Sequence, residues 1–304
     1  MTAVWSLWTK PLYAGHGWEW KELKSYLFSW ILSVELARRH FSDTMLVTDD
    51  QGRRILVDGL GLQFGNISTE LNSLSGHDSG WWNTGKLYTY KLLKVPFLHL
   101  DSDVFLWSPL PEKLQRSDVI AQNPEFFTVA PSGHYMPDQF EQQVMAFGGW
   151  LPREWEWYRA QYGDVQKAIC CGIFGGNRID FISYYADTAI QLLEREENAP
   201  ILGKMALKEQ HVVLIEQFLL AACIEYHRGP YSGFGRLEDE YLFHCIDDAY
   251  HCARVIGFTH LIGDAKNNPT VARRLEKRVQ AVNPELHARA LRFLEDKNGK
   301  LPAA

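Results

Sequence analysis

From residue 4 onward the chain alternates short apolar, β-rich runs with stretches of helical spacing, and this alternation narrows its choice of fold more than anything else. Residues 4–8 read as a strand. Residues 30–40 place Ile31, Val34, Leu36 and Ala37 at near-helical intervals, and residues 44–48 (TMLVT) are β-rich again, stopping at Asp49-Asp50. A further short strand is expected at 55–57, a helix at 86–93, and a buried strand at 96–100 that runs straight into Asp101-Ser102-Asp103. Such a succession predicts an α/β sheet with parallel members. The second half is less regular. Strands are expected at 119–122, 126–129 and 255–261, an apolar run at 171–174 ends in Gly175-Gly176, and helices are expected at 181–193, 212–226, 270–282 and 284–297. No Pro/Ser/Gly-rich linker interrupts the chain, so one domain over 1–266 with a helical tail, 267–304, is the simplest division.

With 304 residues, 46% of them hydrophobic and 22% charged, the chain can bury a large core, which excludes a disordered or fibrous polymer. A net charge of −6 makes nucleic acid an unexpected partner. Residues 264–304 run against that average, with nine Lys or Arg against five Asp or Glu; such a basic tail could touch an anionic membrane or simply solvate its helices. Five cysteines without C-x-x-C spacing fit a reducing cytoplasm better than an exported disulfide framework. No export signal is visible, and the longest apolar stretch, 212–224, is broken by Glu216-Gln217, so no transmembrane segment is expected.

The strongest chemical signal is the apolar strand that ends in Asp101-x-Asp103. Strand alternation would put both carboxylates on one face, where two neighbouring anions need a counter-charge. Oxygen ligands suit Mg²⁺ or Mn²⁺ better than zinc, and the carboxyl ends of strands are where open α/β sheets bind ligands. Far along the chain, His260-Leu261-Ile262-Gly263-Asp264-Ala265-Lys266 offers an imidazole, a tight backbone and a cation. His260 could complete the metal shell, Gly263 could admit a phosphate close to the backbone, and Lys266 could neutralise it.

Together, the D-x-D strand end and the later H-x-x-G-x-x-K resemble the metal- and diphosphate-binding motifs of the glycogenin-like and lipopolysaccharide galactosyltransferase-like enzymes, retaining nucleotide-sugar glycosyltransferases of GT-A fold. The resemblance covers residues 1–266. It implies a GT-A-like (Rossmann-like) mixed, mostly parallel sheet flanked by helices, with the tail as an appendage. It also implies metal-dependent transfer, with retention, from a nucleoside diphosphate sugar such as a UDP-sugar to a hydroxyl acceptor: a glycan, a lipid-linked sugar, a peptide or a metabolite. Asp101, Asp103 and His260 would then hold Mn²⁺ (or Mg²⁺), with Gly263 and Lys266 on the donor diphosphate. Trp8 would stack on the base, with Thr9 beside it. Lys86, Ser102 and Gly175 would border the donor. Glu216, where the family more often has Asp, would stabilise the oxocarbenium charge and Gln217 would orient donor or acceptor.

The residues leave other readings open. Trp8 could be a core indole, Lys86 a solvated lysine, Gly175 a packing glycine and Glu216 a helix cap or ion-pair partner. A non-catalytic nucleotide-sugar or glycan-binding protein would keep the aromatic residues without an intact metal set. A phosphohydrolase also begins with D-x-D after a strand, although Val104-Phe105 departs from its usual continuation. His244, Cys245, His251 and Cys252 are spaced so that a continuous helix would return them to one face for zinc. The aromatic stretch 148–162, with Trp150, Trp155, Trp157 and Tyr158, could line an acceptor cleft.

Overall fold

The apolar runs at 4–8, 44–48 and 96–100 pair as neighbouring strands, and helices lie between them in the chain. The structure, a computed structural model, describes residues 1–16, 20–228 and 233–301; residues 302–304 of the expected tail therefore lie outside the described residues. In chain order the strands are β1 (Thr2–Leu7), β2 (Thr44–Thr48), β3 (Asn66–Ser68), β4 (Phe97–Leu100), β5 (Val104–Leu106), β6 (Val119–Thr128), β7 (Val165–Gly176), β8 (Asp239–Tyr241) and β9 (Phe258–His260). The helices used below are α1 (Leu23–Ala37), α2 (Thr84–Leu92), α3 (Arg153–Gln161), α4 (Ile179–Glu194), α5 (Leu219–Arg228), α6 (Pro269–Val282) and α7 (Pro284–Asp296).

The chain divides into two compact units. The first comprises residues 1–77, 97–111 and 251–304. Its strands run β3-β2-β1-β4, all parallel, with β5 and β9 forming a separate antiparallel pair. Twelve of the fifteen residues of α1 are buried, because α1 packs against β5, α6 and α7. A helix enclosed in this way must satisfy its own polar side chains. Ser29 Oγ accordingly donates to Tyr26 O at 2.7 Å, and Ser33 Oγ accepts from Trp5 Nε1 at 2.9 Å. The two C-terminal helices each begin at an Asn-Pro step: Asn268 and Asn283 cap the first turn, and proline follows where no N–H is needed. They are tied to α1 by Lys24–Glu276 at 3.0 Å, by Asn283 Nδ2 donating to Glu35 Oε2 at 2.8 Å, and by Phe28 stacked on His287.

The second unit comprises residues 78–96 and 112–250. Here β6 pairs antiparallel with β7 and parallel with β8, and α2 packs on α4 while α3 packs on α5. Taken over both units the pairings of the sheet strands are mostly parallel and helices cover them, so the fold is α/β as the alternation predicts. No helix among the described residues is long and apolar enough to cross a membrane.

Four local expectations fail for identifiable reasons. Residues 55–57 are helical: Asp49 Oδ1 accepts the Gly52 N–H at 2.7 Å, capping a helix (Asp50–Arg53) that continues as a wider π-turn over Arg54–Gly59. Three apolar residues are too few to fix a period. Residues 119–122 and 126–129 merge into β6, whose register shifts between Ala121 and Asn123. The helix expected at 212–226 is a composite of Lys208–Val213, a π-turn at Leu214–Phe218, and α5. The last strand is only three residues long, because Ala253–Ile256 is a helical turn stopped by Gly257.

Gly257 is irreplaceable on two counts. Its φ is +74°, and a Cβ there would lie 2.2 Å from Ser108 Oγ and 2.6 Å from Ser108 Cβ. Its carbonyl also accepts from the N–H groups of Trp107 and Ser108 at 2.8 and 3.2 Å, which locks β9 onto β5. Gly257→Ala should therefore cost ~2 kcal/mol from the left-handed backbone and the overlap combined. Chemical denaturation checks this; an unchanged midpoint would contradict it.

In the second unit His211 is fully buried beside Phe140, and burial holds its pKa below the ordinary 6.5. The unfolded chain then binds the proton more readily than the native one, so this contribution is complete above about pH 6.5 and is lost as pH falls through the lowered native value. Melting temperature is expected to drop between pH 7 and pH 5.5, and less steeply in His211→Leu; parallel curves would contradict this.

Candidate metal and diphosphate site

All four residues of β4 are buried, and the chain leaves it through a tight turn in which Val104 N–H donates to Asp101 O at 3.0 Å. The two carboxylates converge because they share this turn. They do not share a strand face, as alternation alone suggested: β4 stops at Leu100 and β5 starts at Val104. The antiparallel register of β5 on β9 then sets Val104 opposite His260, and Leu261 N–H donates to Asp103 O at 3.1 Å. Two segments distant in sequence are thereby held together by backbone hydrogen bonds.

The outcome is a set of three ligands. One side-chain oxygen each from Asp101 and Asp103 and one nitrogen of His260 lie within 4.8 Å of one another, and no other such set of three or more His, Cys, Asp and Glu occurs among the described residues. His260 Nε2 is 3.5 Å from Asp103 Oδ1, and Lys266 Nζ is 2.7 Å from Asp103 Oδ2. Burial opposes ionisation of Asp103, but the charges of Lys266 and His260 outweigh it and hold the carboxyl far below the usual carboxylate range. Asp103 is thus an anion inside the protein, while Asp101, at 21% side-chain exposure, is the more open of the pair.

Gly263, with φ +53°, opens the short 3₁₀ turn Gly263–Asn267 that carries Lys266. The left-handed backbone is sufficient reason for glycine there. The space a Cβ would take is open, with no atom within 4 Å. Ser102 is half-buried between the two carboxylates. Trp8 is buried, at 6% exposure, and Thr9 donates from both N–H and Oγ1 to Asp49 Oδ2, at 2.7 and 2.8 Å.

The remaining candidates belong to the second unit, except His251 and Cys252, which belong to the first. Glu216 is 1% exposed, and its Oε1 accepts from Lys86 Nζ at 3.1 Å and from Tyr90 OH at 3.3 Å. Its carbonyl, in the π-turn, accepts from Tyr185 OH at 2.6 Å. Gln217 is half-buried and its Oε1 accepts from Tyr135 OH. Gly175 lies in β7 opposite Ile120. Of the aromatic stretch, Trp155 and Tyr158 are fully buried in α3, while Arg195 stacks on Trp150 at 4.6 Å. The helical turn expected to align His244, Cys245, His251 and Cys252 is interrupted at Cys252, between Ile246–His251 and Ala253–Ile256, and no metal-ligand set forms there among the described residues.

Residues not singled out from sequence support Asp101. Ser33 Oγ donates to its carbonyl at 3.3 Å, and His99, 1% exposed, lies with Nδ1 3.8 Å from Asp101 Oδ1 and Nε2 2.9 Å from Ser6 Oγ. A histidine inside the otherwise apolar FLHL strand was the available signal.

Among solved structures, the galactosyltransferase LgtC in complex with donor and acceptor sugar analogues is similar over 93% of this chain and 96% of its own, with 13% identity and a TM-score of 0.45. The glycosyltransferase GlyE of Streptococcus pneumoniae TIGR4 is similar over 99% of this chain and 66% of its own, with 12% identity and a TM-score of 0.43. No curated protein matches the sequence. Residues 1–293 match the family described as of unknown function, DUF6734, and the chain belongs to that family.

Proposed function

We propose that this chain is a metal-dependent glycosyltransferase that moves a sugar from a nucleoside diphosphate sugar, such as a UDP-sugar, to a hydroxyl acceptor with retention of configuration. The observation that carries the reading is the convergence of Asp101, Asp103 and His260 at the carboxyl end of a parallel strand, with Lys266 alongside. Two carboxylates and one imidazole are a donor set that suits Mn²⁺ or Mg²⁺. These three side chains would hold the ion, which when bound supplies Lewis-acid relief of the charge on a leaving diphosphate. Lys266 adds a second positive charge to the same region. The open side of Gly263 admits a phosphate oxygen to the backbone.

The same proposal assigns Trp8 and Thr9 to the nucleotide, Ser102, Lys86 and Gly175 to the donor, and Glu216 and Gln217 to the reacting sugar. For Glu216 the support is a buried carboxyl group held from two sides: the Lys86 ammonium and the Tyr90 hydroxyl both donate to its Oε1. Exclusion of water and orientation of the acceptor would supply much of the remaining rate.

The test is a thermal-shift screen of nucleoside diphosphate sugars with and without Mn²⁺, followed by donor hydrolysis and transfer assays on any hit. The reading expects stabilisation by at least one donor that depends on Mn²⁺ and disappears in Asp101→Asn. Metal-independent stabilisation, or none across the common donors, would contradict it.

A further inference from the structure

The strand that delivers Asp101 is apolar except at His99, which is buried to 1% exposure. A buried imidazole costs free energy unless its nitrogens are matched. Parallel pairing of β1 with β4 puts Val4 opposite His99, and Ser6, two residues on along the same face of β1, lies with Oγ 2.9 Å from His99 Nε2. On the other side of the ring, Nδ1 lies 3.8 Å from Asp101 Oδ1. The backbone of Asp101 is anchored separately, its carbonyl accepting from Val104 N–H at 3.0 Å and from Ser33 Oγ at 3.3 Å.

This arrangement determines where the imidazole proton resides. At 3.8 Å the contact is longer than a hydrogen bond and acts through charge: of the two neutral tautomers, the carboxylate favours the one that turns its hydrogen, on Nδ1, toward Asp101. Nε2 is then an acceptor, and Ser6 Oγ must be its donor. We infer that His99 is a positioning residue: through Nδ1–H, and with its tautomer held by Ser6, it orients the Asp101 carboxylate for cation binding. The inference rests on the proposed function for the cation, and on the 3.8 Å approach of Nδ1 to Asp101 Oδ1 for the orientation. Partners of this kind behind a ligating carboxylate typically change metal affinity by about 10–100-fold when removed.

Two substitutions of similar polarity separate positioning from simple packing. Asparagine can place its amide N–H where Nδ1 stands, whereas glutamine places its amide near Nε2 and leaves the Asp101 side without a donor. Mn²⁺ affinity, read by electron paramagnetic resonance of the free ion, is expected to stay within about threefold of wild type in His99→Asn and to weaken at least tenfold in His99→Gln. Nitrogen-15 NMR of the wild-type protein should show His99 as the Nδ1–H tautomer. Equal affinities in the two variants, or an Nε2–H tautomer, would overturn the inference. Failure of wild-type protein to bind Mn²⁺ at all would instead remove the proposed metal chemistry and with it the role of His99 toward a cation, while the tautomer still reports on how the ring faces Asp101.

Discussion

Asp103→Asn is expected to lower Mn²⁺ affinity by more than about a hundredfold and to reduce donor turnover to background, the largest functional effect of any single substitution in this chain. The amide removes one anionic ligand, and it also removes the negative charge facing Lys266, whose side chain is 13% exposed, and His260. Breaking one side of a buried ion pair costs about 3–5 kcal/mol when nothing relaxes, and Lys266 retains some access to water, so ~3 kcal/mol of lost stability is the reasonable expectation. Metal affinity must therefore be measured on protein shown to be folded. Asp101→Asn provides the companion result: its carboxylate is 21% exposed, so stability should fall by less than about 1 kcal/mol while Mn²⁺ binding is still lost. Calorimetric titration of both variants checks the pair of effects, and retained Mn²⁺ binding in both would contradict the assignment of the ligands.

The second large effect concerns stability. Glu216→Ala should destabilise the protein by ~3 kcal/mol, because it removes the carboxylate facing the Lys86 ammonium, a side chain only 15% exposed, and an acceptor for Tyr90 OH. Glu216→Gln keeps an oxygen for both donors and should cost about half as much. If Glu216 also acts on the reacting sugar, as proposed, the glutamine variant separates the two roles: most stability remains while turnover collapses. Urea denaturation and initial rates on the same preparations measure both. A glutamine variant with wild-type turnover would leave Glu216 a structural ion-pair partner.

The site was legible in the sequence where chemistry is written in short, unusual strings. An apolar strand running into Asp101 and Asp103, and a distant histidine, glycine and lysine at fixed spacing, are enough to nominate the residues that the structure gathers. What could not be read was the means of gathering. The tight turn at 101–103 and the three-residue pairing of β5 with β9 depend on Gly257 and on backbone hydrogen bonds between distant segments, and no local period encodes those. The helical reading of 55–57 was hidden for a related reason, since the cap from Asp49 outweighs the β-propensity of three residues. The Lys86–Glu216 pair joins residues on different helical segments, so sequence offers Glu216 an ion-pair role but does not name Lys86 as its partner. His99 was in view but read as part of the strand, because its meaning depends on Ser6 across the β1–β4 pairing.

The central claim is that one divalent cation is held jointly by Asp101, Asp103 and His260. The most direct measurement is anomalous scattering from crystals of the protein grown with Mn²⁺ and a nucleoside diphosphate. The account predicts a single strong peak bounded by those three side chains, with diphosphate oxygens completing its coordination. A peak elsewhere, or a peak lacking the His260 nitrogen as a ligand, would contradict it.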